Sequence, residues 1–477
     1  MSAALVRACL RRASLACMLS LAAVLVAVPA GASARQTAAI QAHLLWDRYD
    51  RPAVQAQLDR ARDAGAGMVR VDLGWSSLEK DGKGRYDPWY LGKIDHVVSQ
   101  AEARGLKVLF TFWETPCWAS TAPDSIKQGC SGAWWDRGVQ RYAPANAAHF
   151  GDALAFLVRR YRMRVAAWEI WNEPNHPEYF KASDEVGAYA ALVRAAYPAA
   201  KAADSRATVI AGSLADADYG FTESLLSRGV KGKFDAWSVH PYSEDRSPLH
   251  PGFAGWAQKS FVGGVPRVRD TLLRHGQDRP LWLTEFGWST CNVRNSDRWS
   301  NCVDPSVQAR YLQEAYRQMQ RWSYVRVGTW FNLQDTSSDE GDRVDNYGLF
   351  DHDGRPKPSY AAYQVTAAAF YRGSPVPTGR RTGRRSRRIT LRVRRRRGRV
   401  HVSGVLPVGR TLWVKAHRQR RGSRRFHRRA SYRLLIRVGR GGRFRARIKS
   451  RGLRRGRWRI VVRNRRSPRL TAARVLR

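Results

Sequence analysis

Acidic residues are missing from the whole C-terminal fifth of the chain. Residues 380–477 contain no aspartate or glutamate, yet they hold 39 of the 84 lysines and arginines. The preceding residues therefore carry 45 basic against 39 acidic side chains, so most of the formal charge of +45 belongs to the C-terminal segment. A strongly basic balance often indicates nucleic-acid binding. This segment contains no nucleic-acid recognition motif, and no specific nucleic-acid partner is expected.

Long apolar runs are also absent, with one exception at the N-terminus. Residues 13–30 form an apolar run after the basic start MSAALVRACLRR, and residues 32–34 read Ala-Ser-Ala. This is the pattern of a signal peptide, and we predict cleavage after Ala34 and secretion. An uncleaved membrane anchor is the alternative, because the run is nearly long enough to span a bilayer. Pro29 and the small residues after it favour cleavage, which would leave no transmembrane segment.

Cysteine is scarce, and no Cys-x-x-Cys pair is present. Removal of the leader would leave four cysteines in a chain bound for an oxidising compartment. Their spacing predicts two short disulfide-closed loops, Cys117–Cys130 and Cys291–Cys302. A zinc site is the alternative, but the cysteines have neither close partners nor neighbouring histidines. We expect no metal ion and no cofactor.

The first predicted strand is not followed by a glycine-rich phosphate loop, which argues against a dinucleotide-binding fold. Instead, apolar strand-like runs alternate with amphipathic helical stretches from residue 39 to residue 372. The eight strand-like runs are AIQAHLLW, MVRVDLGW, KVLFTFW, VAAWEIW, ATVIAGSL, FDAWSVHPY, PLWLTEFGW and VRVGTWFNLQD. Continuous apolar runs are typical of buried parallel strands, so eight such units predict a closed (β/α)8 TIM barrel, an α/β fold.

The composition changes abruptly after the predicted barrel. Residues 373–379, GSPVPTG, resemble a linker, and residues 380–477 contain short alternating stretches separated by glycine-rich turns. We interpret them as a small, arginine-rich, β-sandwich-like accessory module. Disorder is the alternative, because so many like charges repel one another. The predicted organisation is a signal peptide (1–34), a catalytic barrel (39–372), this linker and this module.

Polar and aromatic residues cluster at the predicted strand ends, where the active sites of TIM barrels form. They are His43, Asp47, Arg70, Asp72, Trp113, Glu114, Asn172, Glu173, His240, Tyr242, Glu285, Trp330, Asn332 and Asp335.

Two of these residues predict the chemistry. Residues 168–175 read WEIWNEPN, so Glu173 ends the fourth strand, and Glu285 ends the seventh. Carboxylates on these strands face each other across the barrel mouth, as retaining glycoside hydrolysis requires of an acid and a nucleophile. Arg70 and Tyr242 are candidate donors that would keep Glu285 ionised. A single barrel glutamate is more often a rim or salt-bridge residue, but two on these strands favour catalysis.

The motifs WNEPN and LTEFGW, with SVHPY between them and Trp330 on strand eight, resemble the clan A glycoside hydrolases. TPCWAS and the Asn-Glu-Pro-Asn form are similar to families 39 and 5, including exopolysaccharide endoglycosidases and cellulase-like enzymes. The resemblance implies that Glu173 is the acid/base, Glu285 the nucleophile and Asn172 the partner of the substrate 2-hydroxyl. It also implies that Tyr242 donates to the nucleophile. The subsite of the cleaved sugar would be lined by His240, Trp330 and Arg70.

Several tryptophans are candidates for stacking on sugar rings, although tryptophan is equally common in protein cores. They are Trp75, Trp113, Trp118, Trp134, Trp135 and Trp288.

The predicted function is a secreted retaining glycoside hydrolase that acts on a polysaccharide or oligosaccharide. The alternatives are a catalytically silent polysaccharide-binding protein and a surface adhesion protein that acts through its basic module. We expect this module to hold an anionic cell-wall polymer or polysaccharide, with cell-wall association as the result.

Overall fold

The computed structural model describes residues 36–252, 259–293 and 301–372, together with seven strands between residues 390 and 476. The predicted signal peptide (1–34) and linker (373–379) lie outside the described residues. The chain divides into two compact units, Met1–Pro377 and Thr378–Arg477. Within the part that is described, no helix combines the length and the apolar character needed to cross a membrane.

The first unit is a closed barrel of eight parallel strands, so the predicted (β/α)8 fold is confirmed. The sheet closes because β1 pairs with β2 on one side and with β8 on the other. The strands are β1 (Thr37–Gln41), β2 (Met68–Gly74), β3 (Lys107–Trp113), β4 (Ala167–Ile170), β5 (Val209–Ala215), β6 (Ala236–His240), β7 (Leu281–Phe286) and β8 (Val325–Trp330).

Helices and short helical turns connect the strands. The α-helices are α1 (Arg51–Ala64), α2 (Trp75–Leu78), α3 (Pro88–Glu102), α4 (Asp124–Lys127), α5 (Ala147–Arg160), α6 (Glu185–Ala203), α7 (Tyr219–Leu225), α8 (Phe261–Arg274), α9 (Pro305–Arg321) and α10 (Pro358–Arg372). Local signals fix their ends. For α1, the Asp50 side chain accepts the backbone N–H of Ala53, and Gly65 ends the helix at a φ of 87°.

Side chains that point into the barrel form layers, as strand alternation requires. The lowest layer is apolar and consists of Ala39, Met68, Leu109, Ala167, Ile210, Ala236 and Val327. Two residues further along their strands come the polar side chains of Gln41, Arg70, Thr111, Glu169, Ser238 and Thr329, all fully buried. The interior therefore becomes polar toward the C-terminal ends of the strands, which is where the candidate site lies.

The second unit consists of two antiparallel sheets within the described residues, which confirms the predicted all-β module. One sheet has the order β13-β10-β9 and the other the order β12-β11-β14-β15. The strands are β9 (Thr390–Arg396), β10 (Arg399–Val405), β11 (Thr411–Arg418), β12 (Tyr432–Arg437), β13 (Arg443–Lys449), β14 (Trp458–Asn464) and β15 (Thr471–Leu476). On β11, Val414 and Ala416 are buried and Lys415 between them is not, as expected for a strand with one covered face.

Candidate active site

Two carboxylates face each other at the mouth of the barrel. Glu173 lies just beyond the end of β4 and Glu285 lies on β7. Carboxylate oxygens of the two side chains come within 4.8 Å of each other. Both residues are largely buried, at 9% and 7% exposure, and each keeps a small exposed surface. Such a pair can act on opposite sides of a bond held between them.

The backbone around Glu173 adopts a conformation that few residues accept. Trp171 and Glu173 have φ angles of 67° and 45°, in the left-handed region that disfavours side chains with a Cβ. Such conformations cost about 1–3 kcal/mol each and persist only where neighbouring contacts enforce them. Here the Glu173 N–H donates to the Ser213 carbonyl at 2.8 Å, and the Asn175 side chain bridges to the Ala215 backbone. The turn thereby directs Glu173 across the pocket.

Arg70 connects the floor of the pocket to Glu285. Its guanidinium is fully buried and donates to Glu169 Oε2, Gln41 Oε1, Glu285 Oε1 and Asn172 Oδ1, at 2.9, 2.9, 2.6 and 2.9 Å. Burial lowers the pKa of Arg70, but the charges of Glu169 and Glu285 raise it more, so the pKa lies above its ordinary value. Arg70 therefore remains a cation that orients both Glu285 and Asn172. Because it is enclosed by protein, it does not line the sugar subsite as the resemblance implied.

Glu285 receives a second hydrogen bond on its other oxygen. The Tyr242 hydroxyl donates to Glu285 Oε2 at 2.8 Å. Burial and the negative charge of Glu285 raise the pKa of Tyr242 well above its ordinary value, so the phenol keeps its proton. With one donor on each oxygen, the negative charge of Glu285 is stabilised and its orientation is fixed.

His240 is the polar neighbour of Glu173. Its Nδ1 lies 2.8 Å from Glu173 Oε1, and its Nε2 lies 3.5 Å from Ser213 Oγ. Burial lowers the pKa of His240, while the charges of Glu285 and Glu173 raise it more, so the pKa is raised overall. His240 is therefore placed to hydrogen-bond the carboxyl group of Glu173.

The structure corrects the expectation for two tryptophans at strand ends. Trp288 and Trp330 are 1% and 0% exposed, and their rings pack together with centroids 5.9 Å apart. Trp330 follows the inward-facing Thr329, so alternation turns its side chain toward the helices. The next residue, Phe331, is half-buried and packs against Tyr242 at the pocket. Counting alternation from Thr329 could have identified Phe331 from the sequence.

Two aspartates predicted at the barrel mouth contact residues other than Glu173 and Glu285. Asp335 forms a buried ion pair with Lys357, with an Oδ2–Nζ distance of 2.6 Å, so its role is structural. Asp72 lies beside the site, where Gln41 donates to it and His43 Nδ1 is 3.2 Å away. Burial raises the pKa of Asp72, but His43 and Arg70 lower it by more. The pKa therefore lies below its ordinary value, and the group is an anion.

A cleft of about 590 Å³ extends from Asp72 along the ends of β2 and β3. Trp113, Trp134 and Trp135 line it. Trp75 does not reach it, because its side chain is fully buried and donates to Glu79. Trp118 is half-buried and donates to the Glu79 carbonyl, and it is not among the residues that line the cleft.

Within each of the two predicted cysteine pairs, the two residues are close enough to be disulfide-bonded. Cys117 and Cys130 have sulfurs 2.05 Å apart and Cα atoms 5.7 Å apart. Cys291 and Cys302 have Cα atoms 5.4 Å apart and are also bonded. The first pair links two residues of the segment that follows β3, and the second links two residues of the segment that follows β7.

A closed parallel barrel with facing carboxylates at the ends of β4 and β7 defines a glycosidase of clan A. A family model described as "Cellulase (glycosyl hydrolase family 5)" matches residues 29–325. The chain belongs to glycoside hydrolase family 5.

Solved structures of glycoside hydrolases share the fold. A family 39 glycoside hydrolase from Bacteroides cellulosilyticus WH2 is 21% identical, with a TM-score of 0.55 over 80% of this chain and 70% of that chain. A glucosidase from Croceicoccus marinus is 15% identical, with a TM-score of 0.52 over 87% and 94%. A GH5_18 protein from Streptomyces cattleya, solved with GlcNAc, is 17% identical, with a TM-score of 0.52 over 72% and 82%. A comparison with curated protein sequences gives no match.

Proposed function

We propose that the protein is a secreted retaining glycoside hydrolase that cleaves O-glycosidic bonds of a polysaccharide or oligosaccharide. The observation that carries this proposal is the approach of Glu173 and Glu285 oxygens to within 4.8 Å. Retaining enzymes place their carboxyl groups about 5–5.5 Å apart, whereas inverting enzymes need about 6.5–9.5 Å to admit a water molecule.

In the first step, an oxygen of Glu285 attacks the anomeric carbon and forms a glycosyl ester. The bond to the leaving oxygen breaks, and Glu173 transfers its proton to that oxygen. In the second step, Glu173 removes a proton from water, the water oxygen attacks the anomeric carbon, and the ester bond to Glu285 breaks. Glu173 regains its proton and Glu285 its charge, so the cycle closes.

The neighbouring residues position these two groups. Arg70 and Tyr242 each donate to one oxygen of Glu285, which holds the nucleophile in a fixed orientation. His240 holds Glu173 through a hydrogen bond of 2.8 Å. Asn172 Oδ1 is occupied by Arg70, which leaves the amide N–H group of Asn172 as the donor for the substrate 2-hydroxyl.

The site roles can be tested with two substitutions. Glu285→Gln preserves shape but removes the nucleophile, and turnover should be lost while the circular dichroism spectrum is unchanged. Glu173→Ala should lose less activity on an aryl glycoside with an activated leaving group than on a natural oligosaccharide, and azide should restore its deglycosylation. Wild-type turnover in Glu285→Gln, or equal losses on both substrates without rescue, would contradict the assignment.

Stereochemistry tests the mechanism independently. Proton NMR of an early reaction mixture should show that the first product has the anomeric configuration of the substrate, because two displacements restore it. An inverted product would contradict double displacement even if both glutamates proved essential.

Secretion and anchoring complete the proposal. The leader at residues 1–34 supports export, and the two paired cysteine loops suit an oxidising compartment. The excess of arginine in residues 380–477 supports a module that binds an anionic cell-wall polymer or polysaccharide. Sequencing of the mature N-terminus should begin at residue 35.

A further inference from the structure

The exposed tryptophans share one location. Among the described residues, the tryptophans exposed as large apolar surfaces are Trp46, Trp89 and Trp135, at 40%, 63% and 54%. All three line the 590 Å³ cleft beside the catalytic pair, together with the half-buried Trp113 and Trp134. Exposed aromatic rings gathered at one concave surface indicate a binding site, because a flat ring can pack against the apolar face of a sugar.

The same cleft is acidic. Its walls carry four carboxyl groups, those of Asp47, Asp72, Asp87 and Glu114, and the single lysine Lys80. An anionic sugar would therefore meet repulsion here.

Three of these carboxyl groups have cationic or potentially cationic partners. Asp87 pairs with Lys80 at 2.7 Å, and Asp47 pairs with Lys93 at 3.2 Å. Asp72 has His43 at 3.2 Å and, more distantly, Arg70.

Glu114 is the exception within the described part of the chain. It forms no ion pair there, and its one hydrogen bond is from Ser76 Oγ to Oε2 at 2.7 Å. The fold makes room for this carboxyl group: Glu114 has a φ of 70°, and a Cβ on Gly74 would lie 2.7 Å from Oε2. Glu114 is half-buried and lines the cleft, and a partly desolvated carboxylate without a cation is unfavourable, so proteins normally supply a partner.

Several groups face Glu114. They are Asp72 on β2, Ser76 on α2, Tyr90 on α3 and Arg141 in the turn Val139–Arg141. Burial raises the pKa of Glu114 to about 7, with a further increase from Asp72 that the hydrogen bond from Ser76 and the charge of Arg141 only partly offset. A cationic ligand would lower this pKa and draw the group into its ionised form.

We propose that this cleft binds a sugar unit with a free amino group, whose ammonium ion pairs with Glu114 while the tryptophan rings pack against the sugar. This assignment rests on the proposed glycosidase function, since it names a substrate class for the same mouth. The cleft and the C-terminal module would then bind ligands of different charge. The cleft favours cationic or neutral sugars, and the module favours anionic polymers.

Binding to the full-length protein tests the proposal without any need for turnover. Three β-1,4-linked trimers are compared by calorimetry at pH 7.5, namely the glucosamine trimer, its N-acetylated form and cellotriose. The glucosamine trimer should bind at least about tenfold more tightly than the other two, because only it presents ammonium groups. Glu114→Gln should bring the three affinities to within about twofold, while cellotriose binding stays unchanged.

The loss of glucosamine-trimer affinity at acidic pH should depend on Glu114. Protonation of Glu114 removes its charge, so glucosamine-trimer affinity should fall as the pH decreases below about 7. In Glu114→Gln this decline should disappear. Glu102→Gln is the matched control, because Glu102 is an exposed glutamate on α3 whose partner is Arg164, away from the cleft.

Trp89→Ala separates the aromatic wall from the charge. It should weaken all three trimers, since the ring packs on each of them, and Met163→Ala, at an exposed site outside the cleft, should weaken none. Equal affinity of the three trimers for the wild type, or an ammonium preference that survives Glu114→Gln, would overturn the proposal. Hydrolysis of aryl glycosides by the same proteins tests the glycosidase function separately. Failure of the amino-sugar proposal can therefore be distinguished from failure of the glycosidase proposal.

Discussion

Arg70 Nη1 donates to Glu285 Oε1 at 2.6 Å, and both side chains lie in one buried network that continues to Glu169 and Asn172. The geometry of the candidate nucleophile is therefore set by a residue on β2, across the barrel from β7. A planar guanidinium with several donors in fixed directions suits this arrangement, and an ammonium group does not replace it.

Arg70→Lys should keep the positive charge but lose the geometry. Lysine cannot reach four acceptors, so Glu285 should shift, and displacement of a reacting group by about 1 Å can cost on the order of 10²-fold in kcat. Steady-state kinetics on an aryl glycoside would measure the loss, and thermal denaturation would report the fold. Arg62→Lys, at a surface arginine paired with Asp59, serves as the control. A kcat within twofold of the wild type in Arg70→Lys would contradict the positioning role.

Tyr242→Phe should remove one of the two donors to Glu285 without opening a cavity. A hydrogen bond to a charged group contributes about 1.5–3 kcal/mol, so kcat should fall about 10- to 100-fold. The matched control is Tyr360→Phe, because the Tyr360 hydroxyl accepts a hydrogen bond from Gln364 on helix α10. If both variants lose the same activity, the effect does not come from the Glu285 contact.

Glu169 should make the barrel sensitive to acid. Burial alone would raise the pKa of Glu169, but the charges of Arg70 and His240 lower it more, so its pKa lies below the ordinary 4.5. A depressed pKa contributes stability that is present above about pH 4.5 and is lost as the pH falls through the lower folded value. Acid therefore destabilises the wild type by protonating this group.

Glu169→Gln should be less stable than the wild type at pH 7 by about 3 kcal/mol, because a buried ion pair is broken. Its unfolding midpoint should also decline less steeply below pH 4.5, since the titrating group is gone. Urea denaturation at a series of pH values measures both quantities, with Glu102→Gln as the surface control. Parallel pH profiles for Glu169→Gln and the wild type would show that Glu169 does not carry the acid sensitivity.

The two disulfides should stabilise the loops at the barrel mouth. Each links residues 13 or 11 positions apart, for which the loop-entropy model gives about 3 kcal/mol at most. Peptide mapping of the unreduced protein should find Cys117 linked to Cys130 and Cys291 linked to Cys302. The double substitution of either pair by serine should lower the unfolding free energy by up to that amount. Free thiols, or links between the two loops, would contradict the pairing.

The barrel could be predicted from the sequence because each strand is a continuous apolar run and because apolar residues recur every three to four positions along each helix. The spacing on α9 predicts one buried face, on which Leu312, Ala315, Tyr316 and Met319 are buried, whereas Val307 and Tyr311 are half-buried. The placement of Glu173 just beyond β4 and of Glu285 near the end of β7 followed from the same pattern.

A side chain at a strand end is assigned to the wrong face when the inward and outward positions are not counted along the strand. Trp330 and Phe331 differ by one residue, yet one faces the helices and the other the pocket, because alternation reverses a side chain at every step. The enclosure of Arg70, and the lack of an ion pair to Glu114 among the described residues, could not be predicted because both depend on residues distant in the sequence. Motifs identify such residues but not their surroundings.

The C-terminal module should anchor the enzyme and take no part in catalysis. Residues 380–477 carry 39 basic and no acidic side chains, whereas every catalytic candidate lies before residue 373. Concentrated like charge repels itself in a compact fold, so binding to an anionic polymer should stabilise the module. Counterion release makes such binding weaken steeply with salt.

Truncation after Tyr371 should therefore leave kcat on a small soluble glycoside within about twofold, because no residue assigned to the active site is removed. The same truncation should abolish retention on an anionic cell-wall preparation at low ionic strength, where the full chain binds. Sedimentation with the polymer at increasing salt measures retention, and a neutral polysaccharide is the control ligand. If the truncated enzyme loses turnover on the small substrate, or if the full chain binds neutral and anionic polymers equally at every salt concentration, the module does not act as an electrostatic anchor.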